Sequence, residues 1–518
     1  MDFEVSHSQP NVREFLAVIL SGFGNELVPL SSDHGDEPCP KALLPIANKP
    51  MLDYPLAWLE QSGVKDVLLI CPTSHRSAIS HYIHSDTSSA IATLRINLQT
   101  FDESQDLNSG TSAVLKHFSH LIQQDFILLP CDFIPPPSLP LNRILNKFRT
   151  ESVSDGCLAT TCWFEAQRPD KAGPEEWGPS SPAVPIVWDE QTGTLLHIDT
   201  PDDADRNVEE LDLRMSLLNW YPRTKLSTKF QDSHVYVCRR SVLDALGQKH
   251  HLESFREEFI PWLCKLQYQS TKREKYGGVV ANSSNTASQS MALHHSTSQV
   301  VDDITHPVAS SSPLNDKDIS LSIPPSPTGH ETDLLVQASL RVGVVLHKAT
   351  AGYAARANTL HTFLELNRHF LSKTTYTPPT DPKDRALLDP KIQISSDSIV
   401  GDSTRIEERT TIKRSVIGNH CIIGKMVKIT GCVLQDHCVL ADGAKLDGCI
   451  LGKNTKIGAK AELSRCVTQA GYEVDAGESL KNEKLDVSDW TAHSDDGADG
   501  ESDEEEQEEE SDESGDTD

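Results

Sequence analysis

A Gly-x-Gly pair follows the first apolar run of the sequence. Residues 16–20 are apolar, Gly22 and Gly24 come directly after them, and Lys41 follows. A strand that ends in a glycine turn presents backbone N–H groups that can bind phosphate oxygens, and a lysine beyond it can neutralise their charge. The spacing predicts a phosphate-binding turn. The alternative is that the glycines only shape an ordinary turn and that Lys41 is a surface charge.

The elements around this turn alternate between strands and helices. The hydrophobic pattern predicts strands at 16–20, 67–71, 94–98 and 126–129, helices at 51–61, 74–83 and 111–118, further strands at 157–164 and 234–238, and further helices at 241–246, 255–267 and 359–371. Alternation of this kind favours an α/β domain built on a mostly parallel sheet.

From residue 400 onward the pattern changes to a repeat. Aliphatic residues recur with steps of 6, 6 and 5, which gives a 17-residue period, at Val400, Ile406, Ile412, Ile417, Ile423, Ile429, Leu434, Leu440, Leu446, Leu451, Ile457 and Leu463. Three short strands per coil, each with an inward aliphatic side chain, would produce this period. The repeat therefore predicts a three-sided parallel β-solenoid.

Cysteines follow the same period. Cys432, Cys449 and Cys466 are separated by one period each, and so are Cys421 and Cys438. A metal site is one interpretation. Stacking of small buried side chains in successive coils is the simpler one, because free cysteine behaves as a small hydrophobic residue. No C-x-x-C pair occurs among the 12 cysteines, which argues against zinc and predicts no metal.

Composition limits the location and the partners. The formal net charge is −29, and 15 acidic residues lie between 495 and 518. An acidic chain repels nucleic-acid phosphates, so no direct nucleic-acid binding is expected. The start of the chain lacks the features of a signal peptide, and its apolar runs are too short to cross a membrane. We therefore expect a cytosolic protein with reduced cysteines and no membrane contact.

Shifts in composition predict the domain boundaries. The α/β domain is expected at 1–372, with a disordered Ser/Asn/Thr-rich insertion at 277–329, and is followed by a proline-rich linker at 373–393. The solenoid is expected at 394–480. An acidic tail at 481–518 is expected to stay unfolded, either as a solubilising segment or as a contact for a basic partner surface.

The segment around the first turn resembles the sugar-nucleotide pyrophosphorylases. That family has a strand, a Gly-x-Gly-Thr-Arg-Leu turn and then Pro-Lys-x-Leu-Leu-Pro, which matches Pro40-Lys41-Ala42-Leu43-Leu44-Pro45 here. The resemblance implies a nucleotidyltransferase-like, mixed-sheet domain with a C-terminal left-handed β-helix of hexapeptide type. It also implies a remnant nucleotide cradle at Gly22, Gly24, Lys41, Gly110, Thr111 and Asp132.

The departures from that family concern the charge of the cradle. Where the family has Thr-Arg, this chain has Asn25-Glu26, so a carboxylate stands where the family has a cation that offsets triphosphate charge. Preorganised positive charge is usually a large part of phosphoryl-transfer catalysis. The family's Asn-x-Gly before a late strand is replaced by Asp232-Ser233-His234, and its Glu-Lys-Pro sugar motif is missing between 155 and 230. We therefore expect no catalytic residues and no cofactor.

The combination of domains is similar to the gamma-subunit family of eukaryotic translation initiation factor 2B. Supporting stretches are 255–263 (FREEFIPWL), 358–370 and 413–418 (KRSVIG). About 38 residues follow the predicted solenoid, fewer than the helical exchange domain of the epsilon subunit would need. The resemblance implies a non-catalytic subunit that pairs with epsilon, assembles with alpha, beta and delta subunits, and promotes GDP/GTP exchange on translation initiation factor 2.

Three other functions stay open at this point. An active pyrophosphorylase, such as one that forms GDP-mannose, is the main alternative, and a regulatory paralogue that senses a sugar nucleotide is the second. A solenoid acyltransferase is the third, because His420 and His437 are one period apart and would stack on one face. Repeat geometry explains that stacking without a catalytic base.

Overall fold

The computed structural model describes residues 14–33, 35, 37–85, 93–102, 110–154, 156–166, 184–199, 213–281, 340–378 and 381–486. Residues 282–329 of the predicted insertion and residues 487–518 of the predicted tail lie outside the described residues. Within the described ranges, no helix is both long and apolar enough to span a bilayer.

The first domain is built on strands that are short and mostly buried. They are β1 (Phe15–Leu20), β2 (Pro45–Ile46), β3 (Lys49–Pro50), β4 (Asp66–Pro72), β5 (Arg95–Phe101), β6 (Asp125–Pro130), β7 (Phe133–Ile134), β8 (Ala159–Glu165), β9 (Ile186–Asp189), β10 (Thr194–Ile198), β11 (Thr224–Ser227), β12 (Phe230–Cys238), β13 (Val342–His347) and β14 (Ala355–Arg356).

Among the described residues, ten of these strands form one sheet in the order β11-β9-β10-β13-β8-β12-β6-β1-β4-β5. The neighbours β6-β1-β4-β5 are parallel, as predicted, with Val18 opposite Leu68 and Leu128. Strand β12 pairs antiparallel with both β6 and β8. The sheet is therefore mixed, as the resemblance implies, and the mostly parallel sheet predicted from the alternation is wrong, because the chain returns antiparallel after the first four parallel strands.

Helices cover both faces of this sheet. They are α1 (Asp53–Ser62), α2 (Arg76–Ile83), α3 (Thr111–His117), α4 (Leu141–Ser154), α5 (Met215–Trp220), α6 (Ser241–Gly247), α7 (Ile260–Tyr268) and α8 (Ser270–Ala281). Two further helices, α9 (Leu360–Lys373) and α10 (Pro382–Ala386), follow the last strand of this domain and lead to the second one. Successive side chains of β1 enter opposite cores, since Val18 packs in one apolar cluster while Ala17 and Ile19 pack in the other. The sheet is thus the middle layer of three.

Several elements of this domain were not predicted, among them α4, α8 and β13, a strand inside the large sheet. Helix α4 buries Leu141, Ile144, Leu145 and Phe148 on one face, a helical spacing that the sequence displays. The β9–β10 hairpin was also missed. One predicted boundary is wrong, because α8 continues to Ala281, so residues 277–281 of the expected insertion are helical.

The second domain is a parallel β-helix, as the 17-residue period predicts. Its strands are β15 (Gln393–Ile394), β16 (Ile399–Val400), β17 (Arg405–Ile406), β18 (Thr411–Lys413), β19 (Val416–Ile417), β20 (Ile422–Ile423), β21 (Lys428–Thr430), β22 (Val433–Leu434), β23 (Val439–Leu440), β24 (Lys445–Asp447), β25 (Ile450–Leu451), β26 (Lys456–Ile457), β27 (Glu462–Ser464), β28 (Val467–Thr468), β29 (Glu473–Val474), β30 (Ser479–Lys481) and β31 (Lys484–Leu485).

Successive coils stack in register to give three parallel sheets in the described part of the chain. Ile406 lies opposite Ile423, which lies opposite Leu440, and the other sheets repeat this 17-residue offset. Of the predicted inward positions, Val400 is partly buried and the rest are buried in one core. Each coil therefore extends the same apolar core, which explains the period.

The corners and the ends of the β-helix refine the prediction. Corner residues such as Arg414, Gly431 and Arg465 have positive φ, which produces a sharp turn at the end of each short strand. The proline-rich segment expected as a linker contains helix α10, and its last residue begins the first strand of the β-helix. Strands also continue to Leu485, beyond the predicted end at 480. The cysteines are buried inside this repeat.

Candidate functional site

The glycine turn after β1 is shaped by Gly24. This residue has a φ of 86°, and its carbonyl oxygen accepts hydrogen bonds from the Leu27 amide and the Ser31 hydroxyl, both at 2.8 Å. A Cβ added at Gly24 would lie 3.0 Å from Cβ of Lys41. The positive φ and the close approach of Lys41 therefore explain why position 24 is a glycine. At the exposed Gly22, an added Cβ would meet nothing within 4 Å.

Lys41 and Asp132, both predicted members of the cradle, bind each other. Nζ of Lys41 donates to Oδ2 of Asp132 at 2.5 Å and to Oδ1 of Asn358 at 2.6 Å. Arg356 approaches the same carboxylate, with Nε 2.9 Å from Oδ1 and Nη2 2.9 Å from Oδ2. Lys41 and Asp132 are 5% and 2% exposed, so this cluster is shielded from water. Its charges are paired within the chain.

The charge balance fixes the protonation of Asp132. Burial would raise the pKa of its carboxyl, but the Arg356 guanidinium and the Lys41 ammonium outweigh burial and hold that pKa well below its usual range. Asp132 in turn raises the pKa of Arg356, against the opposing effect of burial. Both oxygens of Asp132 accept from Arg356, so this arrangement does not fit the metal-binding role of the aspartate in the pyrophosphorylases.

A second buried carboxylate, which the sequence analysis did not select, lies near this cluster. Asp232 accepts from the Tyr236 hydroxyl and from the His234 amide, the latter at 2.9 Å, and Nε of Arg256 lies 3.8 Å away. Burial raises the pKa of Asp232, while Arg256 and Arg356 oppose that rise. Desolvation, together with repulsion from Arg356, lowers the pKa of His234 well below its usual value.

Gly110 and Thr111 have a different neighbour. The Ser112 amide donates to the Glu253 carbonyl at 2.9 Å, and the Thr111 hydroxyl accepts from the Phe255 amide at 2.9 Å. A Cβ on Gly110 would lie 2.3 Å from the Glu253 carbonyl oxygen. The start of α3 thus docks against residues 253–255, and Gly110 permits that close approach.

The structure therefore assembles half of the predicted cradle. Gly24, Lys41 and Asp132 come together, Gly22 lies exposed on the same loop, and Gly110 and Thr111 hold another backbone segment. Glu26 is exposed in the turn that follows Gly24. Arg356 and Asn358 were missed, because they lie 224 and 317 residues from their partners and no local pattern marks them.

The contact between the two domains is a second feature that was missed. Outward side chains of one β-helix sheet, spaced by the repeat period, join an apolar cluster with α9 and the loop around Met51: Val416, Val433, Ile450 and Val467. Hydrogen bonds flank them, from Asn48 to the Ile417 carbonyl and from Gln469 to the Asp33 carbonyl, both 2.7 Å. The periodic spacing of these apolar positions is the signal that could have found this contact.

The periodic cysteines form no cluster that could hold a metal ion, and no such cluster of three or more ligands occurs elsewhere in the described residues. The Cys432 thiol donates to the Thr430 carbonyl at 3.2 Å, and the Cys421 thiol donates to the Gln435 carbonyl at 3.3 Å. Each thiol thus bonds to backbone while it fills the core, which matches the packing interpretation. His420 and His437 stack with ring centroids 5.1 Å apart, as repeat geometry requires.

Comparison with known families matches both domains. Residues 16–173 match a nucleotidyl transferase model, and residues 383–480 match the model of the LbH domain of eIF2B subunit epsilon. The fold is therefore a nucleotidyltransferase-like α/β domain followed by a left-handed β-helix, as the resemblance implies.

Individual relatives agree with one another. The chain is 35% identical over 258 residues to translation initiation factor eIF2B subunit gamma of Schizosaccharomyces pombe, which covers 50% of this chain and 53% of that protein. The resemblance to eIF2B gamma subunits is confirmed. The gamma subunit of Caenorhabditis elegans is 28% identical over 50% of this chain and 60% of its own length, and that of Dictyostelium discoideum is 23% identical over 74% and 82%. The alignments with the first two eIF2B relatives thus span only slightly more than half of each relative's length.

Proposed function

We propose that this chain is a non-catalytic subunit of the eIF2B complex. In this proposal it pairs with the epsilon subunit in the cytosol, assembles with the alpha, beta and delta subunits, and promotes GDP/GTP exchange on translation initiation factor 2. The similarity to gamma subunits supports membership of the complex. The observation that carries the non-catalytic role is the engagement of Asp132 by Arg356 and Lys41.

The electrostatics of the cluster support the non-catalytic role. Nucleotidyl transfer needs cations that face the phosphates and a carboxylate that holds a metal ion. In this domain the cations and the carboxylate neutralise one another, and Glu26 adds negative charge to the exposed turn. A triphosphate would have to displace Asp132 from two buried ion pairs, which is costly. We infer that the remnant cradle stabilises the domain and turns over no nucleotide.

An exposed apolar surface at one edge of the sheet supports a subunit role. Among the residues that the structure describes, β11 is an edge strand of the large sheet, and Leu226 on it is 56% exposed. In the preceding helix α5, Met215 and Trp220 are 77% and 62% exposed. Exposed aromatic and apolar side chains beside an open sheet edge are typical of a protein contact. We propose this edge surface (Met215, Trp220 and Leu226) as a candidate contact with a partner subunit.

The test is to purify the tagged chain from its own cells in moderate salt and identify its stoichiometric partners. We expect four further subunits, one with a C-terminal helical exchange domain, and stimulated release of GDP from initiation factor 2 by the purified assembly. Trp220→Ala with Leu226→Lys should reduce recovery of one partner, whereas Met426→Ala, an exposed position on the β-helix, should not. Recovery of a homo-oligomer, or of a lone pyrophosphorylase paralogue, would contradict the proposal.

The alternative is an active sugar-nucleotide pyrophosphorylase or its regulatory paralogue. The observation in favour of this alternative is the match of residues 16–173 to a nucleotidyl transferase model. Titration with GTP, GDP-mannose and UDP-glucose during thermal unfolding separates the two proposals, because a ligand of the native state raises the midpoint. A saturable rise with one of these nucleotides that disappears in Lys41→Ala would favour the alternative.

The acidic tail carries a further proposal, since 15 carboxylates between 495 and 518 create a long-range negative field. We infer that this field tunes the binding of initiation factor 2 and that phosphorylation at Ser502, Ser511 or Ser514 would strengthen it. Truncation at Asp495 should weaken the salt dependence of binding. Unchanged affinity and unchanged salt dependence would contradict this role.

A further inference from the structure

A cleft lies between helix α9 and one corner of the β-helix. Its cavity volume is about 320 Å³, and its lining includes Arg368 and Ser372 from the helix side and Arg414, Thr430 and Arg465 from the β-helix. This volume suits a small molecule rather than a protein segment. The cleft is separate from the cluster around Asp132, and neither the family matches nor the proposed function assigns it a role.

Repeat geometry explains why the cleft exists. One corner position of four successive coils is occupied by Arg414, Gly431, Gly448 and Arg465, each with positive φ. The two glycines leave a gap two coils long, and an arginine closes each end. Since neighbouring strands are about 4.8 Å apart, the two arginine backbones are separated by about 14 Å. Long side chains from both ends can reach a common point above the glycines.

The side chains support this description. A Cβ added at Gly448 would lie 3.6 Å from Cγ of Arg465, so that side chain extends over the glycine. A Cβ added at Gly431 would meet nothing within 4 Å, so this part of the gap is open. From the other wall, Arg368 enters the cleft while it donates to Glu365 at 2.8 Å. Three arginines from two domains thus line one space.

The charges define the class of ligand. Three arginines and two aspartates, Asp397 and Asp447, line the cleft, which gives it a positive balance on a strongly acidic chain. Guanidinium groups recognise phosphate oxygens through paired hydrogen bonds, and Thr430 and Ser372 can donate further ones. We propose that this cleft binds a compact phosphate-bearing anion. Such a ligand bridges α9 and the β-helix and stabilises the contact between the domains.

The test measures binding to the full chain by calorimetry and by the thermal unfolding midpoint. The probes are inorganic phosphate, pyrophosphate and a nucleoside diphosphate, with citrate as a carboxylate control. We expect saturable binding of pyrophosphate with a raised midpoint. Tighter binding of the nucleoside diphosphate would identify a phosphate ester as the natural ligand, and equal binding would identify the inorganic anion. Citrate binding as tight as that of pyrophosphate would overturn the phosphate assignment.

Matched variants keep the test specific. Arg414→Ala with Arg465→Ala should weaken pyrophosphate binding by about tenfold or more, whereas Arg405→Ala, on another sheet of the β-helix, should leave it within about twofold. Gly431→Asp places a carboxylate in the gap and should abolish binding. Gly477→Asp makes the same change at a corner with φ 77° and open space around its Cβ, and should not. Absence of saturable binding by every phosphate probe, or wild-type affinity in Gly431→Asp, would overturn the proposal.

Discussion

The nucleotidyltransferase-like domain and the left-handed β-helix bury their polar groups in different ways. In the first domain, Lys41, Asp132 and Arg356 form one irregular cluster from distant parts of the chain. In the β-helix, buried hydroxyls bond to the backbone of the adjacent coil, as when Thr404 donates to the Gly418 carbonyl at 2.9 Å and Thr410 to Gly424 at 2.8 Å. The first domain depends on a few ion pairs between distant parts of the chain. The β-helix repeats the same kind of hydrogen bond between adjacent coils.

The first prediction concerns the ion pair between Arg356 and Asp132, the main long-range contact of the irregular cluster in the first domain. Arg356→Ala removes the guanidinium that binds both oxygens of Asp132 and leaves a buried carboxylate with one cation. We expect a loss of about 3–5 kcal/mol in the free energy of unfolding. Denaturant unfolding measures it. Arg256→Ala, whose side chain is more exposed and lies 3.8 Å from Asp232, is the control and should cost clearly less. Equal losses would mean that the cluster has no special role.

The second prediction sharpens the comparison at the boundary of the two domains. Ile450 is fully buried in the contact with α9, whereas Ile422, at the outward start of a strand on another sheet, is 48% exposed. Ile450→Ala should lower the free energy of unfolding by about 2–4 kcal/mol, and Ile422→Ala by less than about 0.5 kcal/mol. Similar values for both variants would show that the apolar contact between the β-helix and α9 does not hold the domains together.

The third prediction concerns how the stability of the first domain depends on pH, through His234. The folded-state pKa of His234 lies below its unfolded value, so the unfolded chain binds a proton first as the pH falls. Stability should therefore be complete above pH about 6.5 and decrease below it, by up to about 1.4 kcal/mol per pH unit for this group. His234→Asn, which suits the residue's φ of 57°, should flatten the slope between pH 7 and 5. An unchanged slope in this variant would contradict the assignment.

The smallest expected effect lies in the cysteine column of the β-helix. Cys449 is fully buried, and its thiol donates to the Asp447 carbonyl at 3.4 Å. Cys449→Ala should cost about 1 kcal/mol in the free energy of unfolding, because it only leaves a small gap in the core. Zinc or a chelator should leave the unfolding midpoint of the wild-type chain unchanged. A midpoint that rises with zinc would restore the metal interpretation.

The two domains also differ in how far the sequence reveals them. The 17-residue period predicts the coils, the inward residues and the stacked cysteines, because each coil needs only its neighbours. In the first domain, hydrophobic runs locate β1, β4 and β6 to within a few residues, since their burial is local in sequence. The other two members of the cluster around Lys41 and Asp132 could not be predicted in this way. Asn358 lies 317 residues from Lys41 and Arg356 lies 224 residues from Asp132, so only the tertiary fold brings them to the cluster.

We propose, above all, that the chain's own Arg356 and Lys41 close the predicted nucleotide cradle on Asp132. The most direct test is release of pyrophosphate by the purified full chain, supplied with a divalent cation, nucleoside triphosphates and sugar 1-phosphates. The account predicts no release above the background of a matched preparation of Lys41→Ala. Release that depends on a sugar 1-phosphate and disappears in Lys41→Ala would contradict it and would establish a working pyrophosphorylase.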